Sequence, residues 1–228
     1  MEKSGISESS FEDILRSRRS IRQFLPEEVS REKLERILHL SLTAPSWKNA
    51  RAYKILLVSG SKKEELSRAL LENGNREIAE TPDFPFQENY PSYIKKRMLE
   101  LGAGYYNHLG VDRKDRERRK ELLLDNFRFF GAPHVILLLL EEGMGYWPAL
   151  DLGIFLGTLM LTIRSEGLDS IAQASLAGYP DTVRNVLGLE PNWKIAVGLS
   201  LGYSDREART NTYSSPSPKW EEMVDFMD

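Results

Sequence analysis

Residues 133–140 read Pro-His-Val-Ile-Leu-Leu-Leu-Leu, an apolar run that follows Gly131. The run does not alternate polar and apolar residues, so it predicts a strand that is buried on both faces of a sheet. Pro148 then suits the first turn of a long, nearly uncharged helix that reaches Glu166. Because this helix is apolar almost all round, we expect it to lie centrally in the molecule.

Further elements are predicted on both sides of this strand and helix. Ser10 with Asp13, and Ser61 with Glu64, have the spacing of capping boxes at helix starts. Strands are predicted at 53–58, 133–140, 170–175 and 193–202. A first helix starts at Ser10 and runs into the segment 16–22, and further helices are predicted at 30–44, 61–74, 93–108, 112–129, 148–166, 180–187 and 219–227. This order lacks regular strand–helix alternation and predicts an α+β fold with about four to five strands packed between helices.

The composition excludes several kinds of site. The chain has 228 residues, a formal charge of −3, three histidines and no cysteine, which removes disulfides, thiolate metal sites and a cysteine nucleophile. We predict no metal site. The N-terminal residues lack the apolar core of a signal peptide, and the apolar runs 135–140 and 152–163 are short for a bilayer. We therefore expect a cytoplasmic protein that binds neither membrane nor nucleic acid.

An arginine cluster is the sharpest local feature of the chain. Arg16, Arg18, Arg19 and Arg22 fall within seven residues, with the hydroxyl of Ser20 between them. Guanidinium groups match the geometry of phosphate, so the cluster suits an anionic ligand. The alternative is a solvated, charged helix end, which composition alone favours.

Two weaker features follow. The segment 45–52 lies between a helix and a strand, and Ser46, Asn49 and Arg51 are suited to read the polar edge of a heterocycle. They are equally typical of a turn. The amide of Gln173 is suited to donate to a flat ligand beside small neighbours, or it is a polar residue at a strand edge. The charged run 113–120 has interspersed acids, which indicates a solvated helix face rather than a nucleic-acid site.

In this order, the features resemble the FMN-dependent nitroreductase family. The motifs are Arg-Arg-Ser-x-Arg at 18–22, Ala-Pro-Ser-x-x-Asn at 44–49, Gly-Leu-Asp-Ser at 167–170, Gln-Ala at 173–174, Pro-Asp-x-Val-Arg-x-x-Leu-Gly at 180–188 and Val-Gly-x-x-Leu-Gly-Tyr-x-Asp at 197–205. The segments 126–134 and 147–160 are most similar to the branch that includes nitrobenzoate reductases. The likeness implies a single nitroreductase-like domain at 10–205, a flexible N-terminus at 1–9, and an extension at 206–228 that packs on the domain or on a partner subunit.

The resemblance also implies an interlaced homodimer with FMN sites at the interface, each built from both chains. One subunit would contact the phosphate, ribityl chain and flavin edge, and the other would line the ring. The implied cofactor-binding residues are Arg18, Arg19, Ser20 and Arg22 from the first subunit, Pro45, Ser46, Trp47, Asn49 and Arg51 from the second, and Gln173 and Ala174 near the ring.

Two positions depart from the family pattern. Arg51 stands where the family often has a Gln in Gln-Pro-Trp, and its contact is either the flavin pyrimidine or a substrate carboxylate. Ser214 stands where a basic phosphate ligand is common, so phosphate binding is assigned to Arg18 and Arg22, or to Arg209 by a shifted register. The aromatic residues of 84–93 and 105–106 are expected either to cover the pocket or to belong to the core.

The implied function is an NAD(P)H-dependent flavin oxidoreductase that reduces nitroaromatic or quinone-like acceptors by a ping-pong mechanism. The flavin supplies the redox chemistry, so no side chain is assigned as a catalytic acid. The alternatives are a flavin-binding module without turnover, and another flavin reaction of the superfamily such as reductive dehalogenation.

Overall fold

The structure, a computed structural model, describes residues 10–227. The predicted flexible segment 1–9 lies outside the described residues. The helices are α1 Phe11–Ser17, α2 Arg31–Ser41, α3 Gly60–Asn75, α4 Ser92–Leu109, α5 Arg116–Leu124, α6 Tyr146–Ser165, α7 Pro180–Leu187 and α8 Arg209–Thr212. The strands are β1 Tyr53–Ser59, β2 His134–Glu141, β3 Asp169–Gln173 and β4 Trp193–Gly202, and short 3-10 turns occur at Trp47–Asn49, Phe129–Gly131, Ala174–Ala177 and Trp220–Glu222.

The four strands form one sheet in the order β1-β2-β4-β3, and all neighbours in it are antiparallel. Strand β2 is central, and its side chains alternate between two apolar clusters. Val135 and Leu137 pack on one face with α3 and α7, while Ile136 and Leu138 pack on the other with α2 and α6. The predicted α+β fold with a sheet between helices is confirmed, and burial on both faces explains the unbroken apolar run.

Strand β1 differs from the expectation of a buried strand. It lies at the edge of the sheet and pairs only with β2. Val58 is its one buried residue, and Leu57 is exposed. An edge strand has a neighbour on one side alone, so its apolar side chains are covered less than those of β2.

The helix starts confirm the cap predicted at Ser10 and the cap that Ser30 predicts for the helix 30–44, and they correct a third. Ser10 and Asp13 form the predicted capping box at α1, and Ser30 caps α2 by accepting from the Lys33 N–H. The predicted box of Ser61 and Glu64 is wrong, because α3 begins one residue earlier, at Gly60.

Other elements differ from their predicted boundaries. Helix α5 occupies only the middle of the predicted helix 112–129. It begins after Asp115, which caps it, and the positive φ of Phe129 and Phe130 is incompatible with a helix that continues to residue 129. Strand β3 ends at Gln173, two residues before the predicted end. The predicted helix 219–227 is a 3-10 turn with no buried residue, while the short helix α8 was not predicted.

By length and composition alone, helix α6 could cross a membrane. The short apolar run 152–163 therefore does not exclude a membrane-spanning helix. One stripe of it, including Leu152, Phe155 and Leu159, packs on the sheet. The opposite side of this central helix is not covered in the single chain, where Trp147, Leu150 and Ile154 remain exposed.

Candidate functional site

The arginine-rich segment leaves α1 at Arg18 and runs extended along the edge of the sheet. The Ile21 N–H donates to the Ser170 carbonyl oxygen at 3.3 Å, and Ser20 pairs with Ser170 as a parallel bridge. Alternate side chains of an extended segment point to opposite faces. Arg18, Ser20 and Arg22 therefore share one face, and Arg19 lies on the other.

Asn211 fixes the position of this segment. Its Oδ1 accepts from the Arg22 N–H at 2.7 Å, and its Nδ2 donates to the carbonyl oxygens of Gln23 at 2.7 Å and Asp205 at 2.8 Å. The Arg22 guanidinium lies 4.7 Å from the centre of the Tyr105 ring of α4. Burial raises the pKa of the Tyr105 hydroxyl, and the nearby Arg22 opposes that rise. The backbone and side chain of Arg22 are thus both held in place.

The shared face of Arg18, Ser20 and Arg22 offers free donors. Within residues 10–227, the Arg18 guanidinium and the Ser20 hydroxyl make no hydrogen bond, and Arg22 Nη1 reaches only the Ser20 carbonyl oxygen at 3.4 Å. Guanidinium and hydroxyl donors in this arrangement fit a phosphate group. The chemistry of the face therefore matches the predicted phosphate end of FMN.

Arg19 lines a separate cavity of about 360 Å³, together with Arg164 and Arg206. At its edge the Asp169 carboxylate accepts from Arg164 Nη1 at 3.1 Å and from the Ser204 hydroxyl at 2.6 Å. Arg19 therefore lies apart from Arg18 and Arg22 in the structure, although these arginines are close together in the sequence. Arg206, which follows β4, was not singled out from the sequence, although a basic residue after the last strand was expected.

The predicted loop 45–52 is held by a carboxylate of α6. Both oxygens of Asp151 accept from the Trp47 N–H, at 2.9 and 3.0 Å, and the Trp47 ring stacks on Trp147 at 5.3 Å. The Arg51 guanidinium donates to the Asn49 side chain and to the Leu42 carbonyl oxygen. The Arg51 N–H also donates to the Ser46 hydroxyl at 3.4 Å.

These contacts give the loop a fixed, exposed surface. The backbone has positive φ at Lys48, Asn49 and Arg51. Residues other than glycine are uncommon in this conformation and keep it where the surrounding structure holds them. Pro45, Trp47 and Asn49 stay exposed. The loop is therefore preformed and open to a ligand or a second chain.

The loop and the arginine segment lie at opposite ends of α6. Asp151 holds the loop, while Arg164 Nε donates to the Ser17 hydroxyl beside the arginine segment at 2.9 Å. These anchors are thirteen residues apart on α6, which at roughly 1.5 Å per residue is about 20 Å. One chain alone does not bring the two predicted halves of the site together.

Gln173 does not face a ligand as predicted. Its side chain is 2% exposed, and Nε2 donates to the Asn126 carbonyl oxygen at 2.9 Å while Oε1 accepts from the Ser200 hydroxyl. The proposed donation to a flat ligand is therefore wrong for this side chain. Its neighbours Ala172 and Ala174 are the exposed residues here, because side chains alternate along β3.

The comparisons with known proteins agree with this geometry. The model of the nitroreductase family matches residues 15–203. The chain belongs to the nitroreductase family. It is 34% identical to nitroreductase NfnB of Mycolicibacterium smegmatis, over 94% of this chain and 92% of that one. It is 31% identical to a 4-nitrobenzoate reductase of Pseudomonas putida, over 95% of each chain.

A solved structure is similar throughout. The FMN-dependent nitroreductase NfnB of Mycobacterium smegmatis, in complex with NADPH, has a TM-score of 0.91 and 33% identity. The alignment covers 95% of this chain and 97% of that one. The predicted family and fold are thereby confirmed.

This nitroreductase-family chain has a further cavity that the sequence did not predict. This cavity, the α5 cavity, measures about 550 Å³ and lies beside α5; it is one of several in the described part of the chain. Its charged rim contains residues of the run that was interpreted as a solvated helix face, namely Arg113, Arg116, Arg119 and Lys120. A helical face of cations is visible in the sequence, but only the folded chain shows that it borders a cavity.

Proposed function

We propose that this chain is an FMN-dependent oxidoreductase that uses NAD(P)H to reduce nitroaromatic or quinone-like acceptors. The observation that carries the proposal is the free donor face of Arg18, Ser20 and Arg22 in a chain of the nitroreductase family. The similar enzyme from Mycobacterium smegmatis is described as FMN-dependent and was solved with NADPH. That description supports the same cofactor and reductant here.

The residues present fit FMN. Arg18, Ser20 and Arg22 would hold its phosphate end, and Arg22 is already oriented by Asn211 and Tyr105. The exposed Ala174 leaves room for close approach to the end of β3. When bound, FMN would supply the redox chemistry by accepting a hydride from NAD(P)H and passing electrons to the acceptor.

The chain's own contribution is binding and orientation. Arg18 and Arg22 place positive charge where an anionic cofactor needs it. Asp151 and Arg51 hold the loop 45–52 in one conformation, so less ordering entropy would oppose binding. Gln173 stabilises the end of β3 through Asn126 and Ser200. No side chain is assigned as a proton donor.

The complete site would be formed by a homodimer. The α6 residues that anchor the loop and the arginine segment lie about 20 Å apart in one chain, so a partner subunit would bring its loop to the first subunit's arginines. The outer face of α6 supports this arrangement. Trp147 is 53% exposed, and a Cβ added to Gly153 or Gly157 would meet no atom within 4 Å. Such an open apolar face is suited to a large interface.

Sedimentation of the purified protein tests the dimer. We expect a dimer for the natural chain, and a monomer with little FMN for Ile154→Glu, which places a charge on the outer face of α6. A monomer that retains FMN would contradict the composite site.

We place the protein in the cytoplasm as part of the same proposal, because NAD(P)H is available there as the reductant. Fractionation of cells that produce the protein tests that location. Recovery of the protein with the membrane fraction would contradict it.

The absorbance spectrum of the purified protein tests the function itself. We expect a flavin spectrum that bleaches on anaerobic addition of NADPH or NADH and recovers when a nitroaromatic or quinone is added. A flavin spectrum that neither nucleotide bleaches would indicate a binding module without turnover. Protein that is colourless and does not bind added FMN would contradict the proposal as a whole.

A further inference from the structure

The α5 cavity combines an apolar interior with a basic rim. Its apolar lining includes Leu123, Leu124, Phe127 and the ring of Tyr179. At about 550 Å³ it has the size of pockets that bind small molecules. An apolar interior suits a flat aromatic ring. The charged side chains of the rim indicate which charge the ligand is expected to have.

The charges on the rim do not cancel. Lys120 Nζ is paired with Glu77 Oε1 at 2.6 Å, and the Arg119 guanidinium lies 4.2 Å from the centre of the Tyr106 ring. Among residues 10–227, Arg113 and Arg116 have no acidic partner within salt-bridge distance. Four cations and the two carboxylates of Glu77 and Glu80 line the cavity, which leaves an excess of positive charge.

A buried hydroxyl in the lining also lacks a partner. Ser175 Oγ is inaccessible to solvent and has no hydrogen-bond partner within the described part of the chain. Ser175 directly follows Ala174, and it lines the cavity together with Asn126, whose position Gln173 fixes. A buried polar group without a partner is costly, so this hydroxyl favours a ligand with a polar atom.

A row of side chains links the cavity to the proposed FMN face. Arg22 lies over Tyr105, the rings of Tyr105 and Tyr106 are 6.0 Å apart, and Arg119 lies over Tyr106. This row of contacts along α4 connects the donor face to the cavity rim. Two tyrosine rings thus separate the cavity rim from the proposed FMN face.

We propose that the α5 cavity binds the aromatic ring of an anionic ligand, with Arg113 and Arg116 contacting the anion. The inference rests on the proposed function, because the ring would belong to one of the two reaction partners. The anion has two possible sources. One is the carboxylate of an acceptor such as a nitrobenzoate, and the other is the adenosine 2′-phosphate of NADPH.

The test variant is Arg113→Gln combined with Arg116→Gln. Its control is Arg118→Gln, which removes one arginine charge from α5 at a residue outside the cavity. Two probes that cannot be reduced report binding directly by calorimetry. Benzoate represents the acceptor, and adenosine 2′-monophosphate represents NADPH.

Each source of the anion predicts its own pattern. If the acceptor supplies it, the double variant should bind benzoate about tenfold more weakly and lose preference for 4-nitrobenzoate over the neutral 4-nitrobenzamide. If NADPH supplies it, binding of adenosine 2′-monophosphate should fall by about the same factor, with lost preference for NADPH over NADH. Either result supports the proposal, and unchanged binding of both probes, as in R118Q, would overturn it.

The experiment separates this inference from the proposed function. FMN content and bleaching are measured on the same natural protein. A chain that binds the probes through Arg113 and Arg116 but holds no FMN would disprove the proposed function and leave the cavity assignment standing. A chain that bleaches normally while the double variant binds both probes as the control does would disprove the cavity assignment alone.

Discussion

The carboxylate of Asp151, at the start of α6, accepts the backbone N–H of Trp47 through both of its oxygens, at 2.9 and 3.0 Å. Asp151 is 4% exposed, so the loop 45–52 is attached to the central helix by a buried, charge-assisted hydrogen bond. This contact explains how an exposed loop keeps three residues at positive φ.

Asp151→Asn should therefore weaken the attachment of the loop. The amide keeps one acceptor but loses the charge, so we expect a loss of about 1–2 kcal/mol in the free energy of unfolding and weaker FMN retention. Denaturant unfolding and flavin content measure the two effects. The control is Asp181→Asn, an exposed ion-pair partner of Arg184 that should cost at most about 0.5 kcal/mol. Equal effects of the two substitutions would contradict the role of Asp151.

The division of the arginine cluster can be tested by comparing two single variants. Arg22→Ala should lower FMN affinity about tenfold or more, because it removes a charge-assisted contact from the donor face. Arg19→Ala should change it by less than about threefold, since Arg19 lines the other cavity. Titration of apoprotein with FMN gives both values. A larger effect for Arg19 than for Arg22 would show that the phosphate binds in the cavity that Arg19 lines together with Arg164.

Asn211→Ala tests the residue that holds the arginine segment to the chain after β4. It removes three hydrogen bonds, to the N–H of Arg22 and to the carbonyl oxygens of Gln23 and Asp205, at a buried position. We expect a loss of about 2–4 kcal/mol in the free energy of unfolding. Asn107→Ala, on the exposed side of α4, should change it by less than about 0.5 kcal/mol. Similar melting temperatures for the two variants would contradict the anchoring role.

His134 predicts a pH dependence of stability. Its Nε2 accepts from the Val29 N–H at 3.1 Å and its Nδ1 lies 2.6 Å from the Ser59 hydroxyl, an arrangement of the neutral ring. Burial lowers the pKa of His134 below its ordinary 6.5, although Glu28 opposes the shift. As pH falls through 6.5, His134 therefore takes up a proton more readily in the unfolded chain than in the folded chain.

The free energy of unfolding should therefore decrease as pH is lowered below about 6.5. His134→Gln should remove this part of the pH dependence, while His39→Gln, at an exposed position of α2, should retain it. Denaturant unfolding between pH 5 and pH 8 measures the slopes. A natural protein that gains stability on acidification across this range would contradict the assignment.

The elements with clear local signals were predicted well. Strands β2 and β4 and helix α7 lie where apolar runs, Pro180 and Gly188 place them. The capping pair of Ser10 and Asp13 was predictable because it depends on residues three apart. The pair Ser61 and Glu64 has similar spacing and failed. Ser59, which precedes α3, contacts His134 across the sheet, and sequence spacing contains no information about that contact.

The sequence by itself determined the family, the α+β class, the central strand and the residue types suited to an anionic cofactor. Only the tertiary structure decided which of these residues act together. Extended backbone separates Arg19 from Arg18 and Arg22, and partners far along the chain occupy the amide of Gln173. Helix α6 anchors the loop 45–52 and the arginine segment at residues about 20 Å apart. Periodicity and composition are local properties, whereas burial and hydrogen-bond partners depend on segments that meet only after folding.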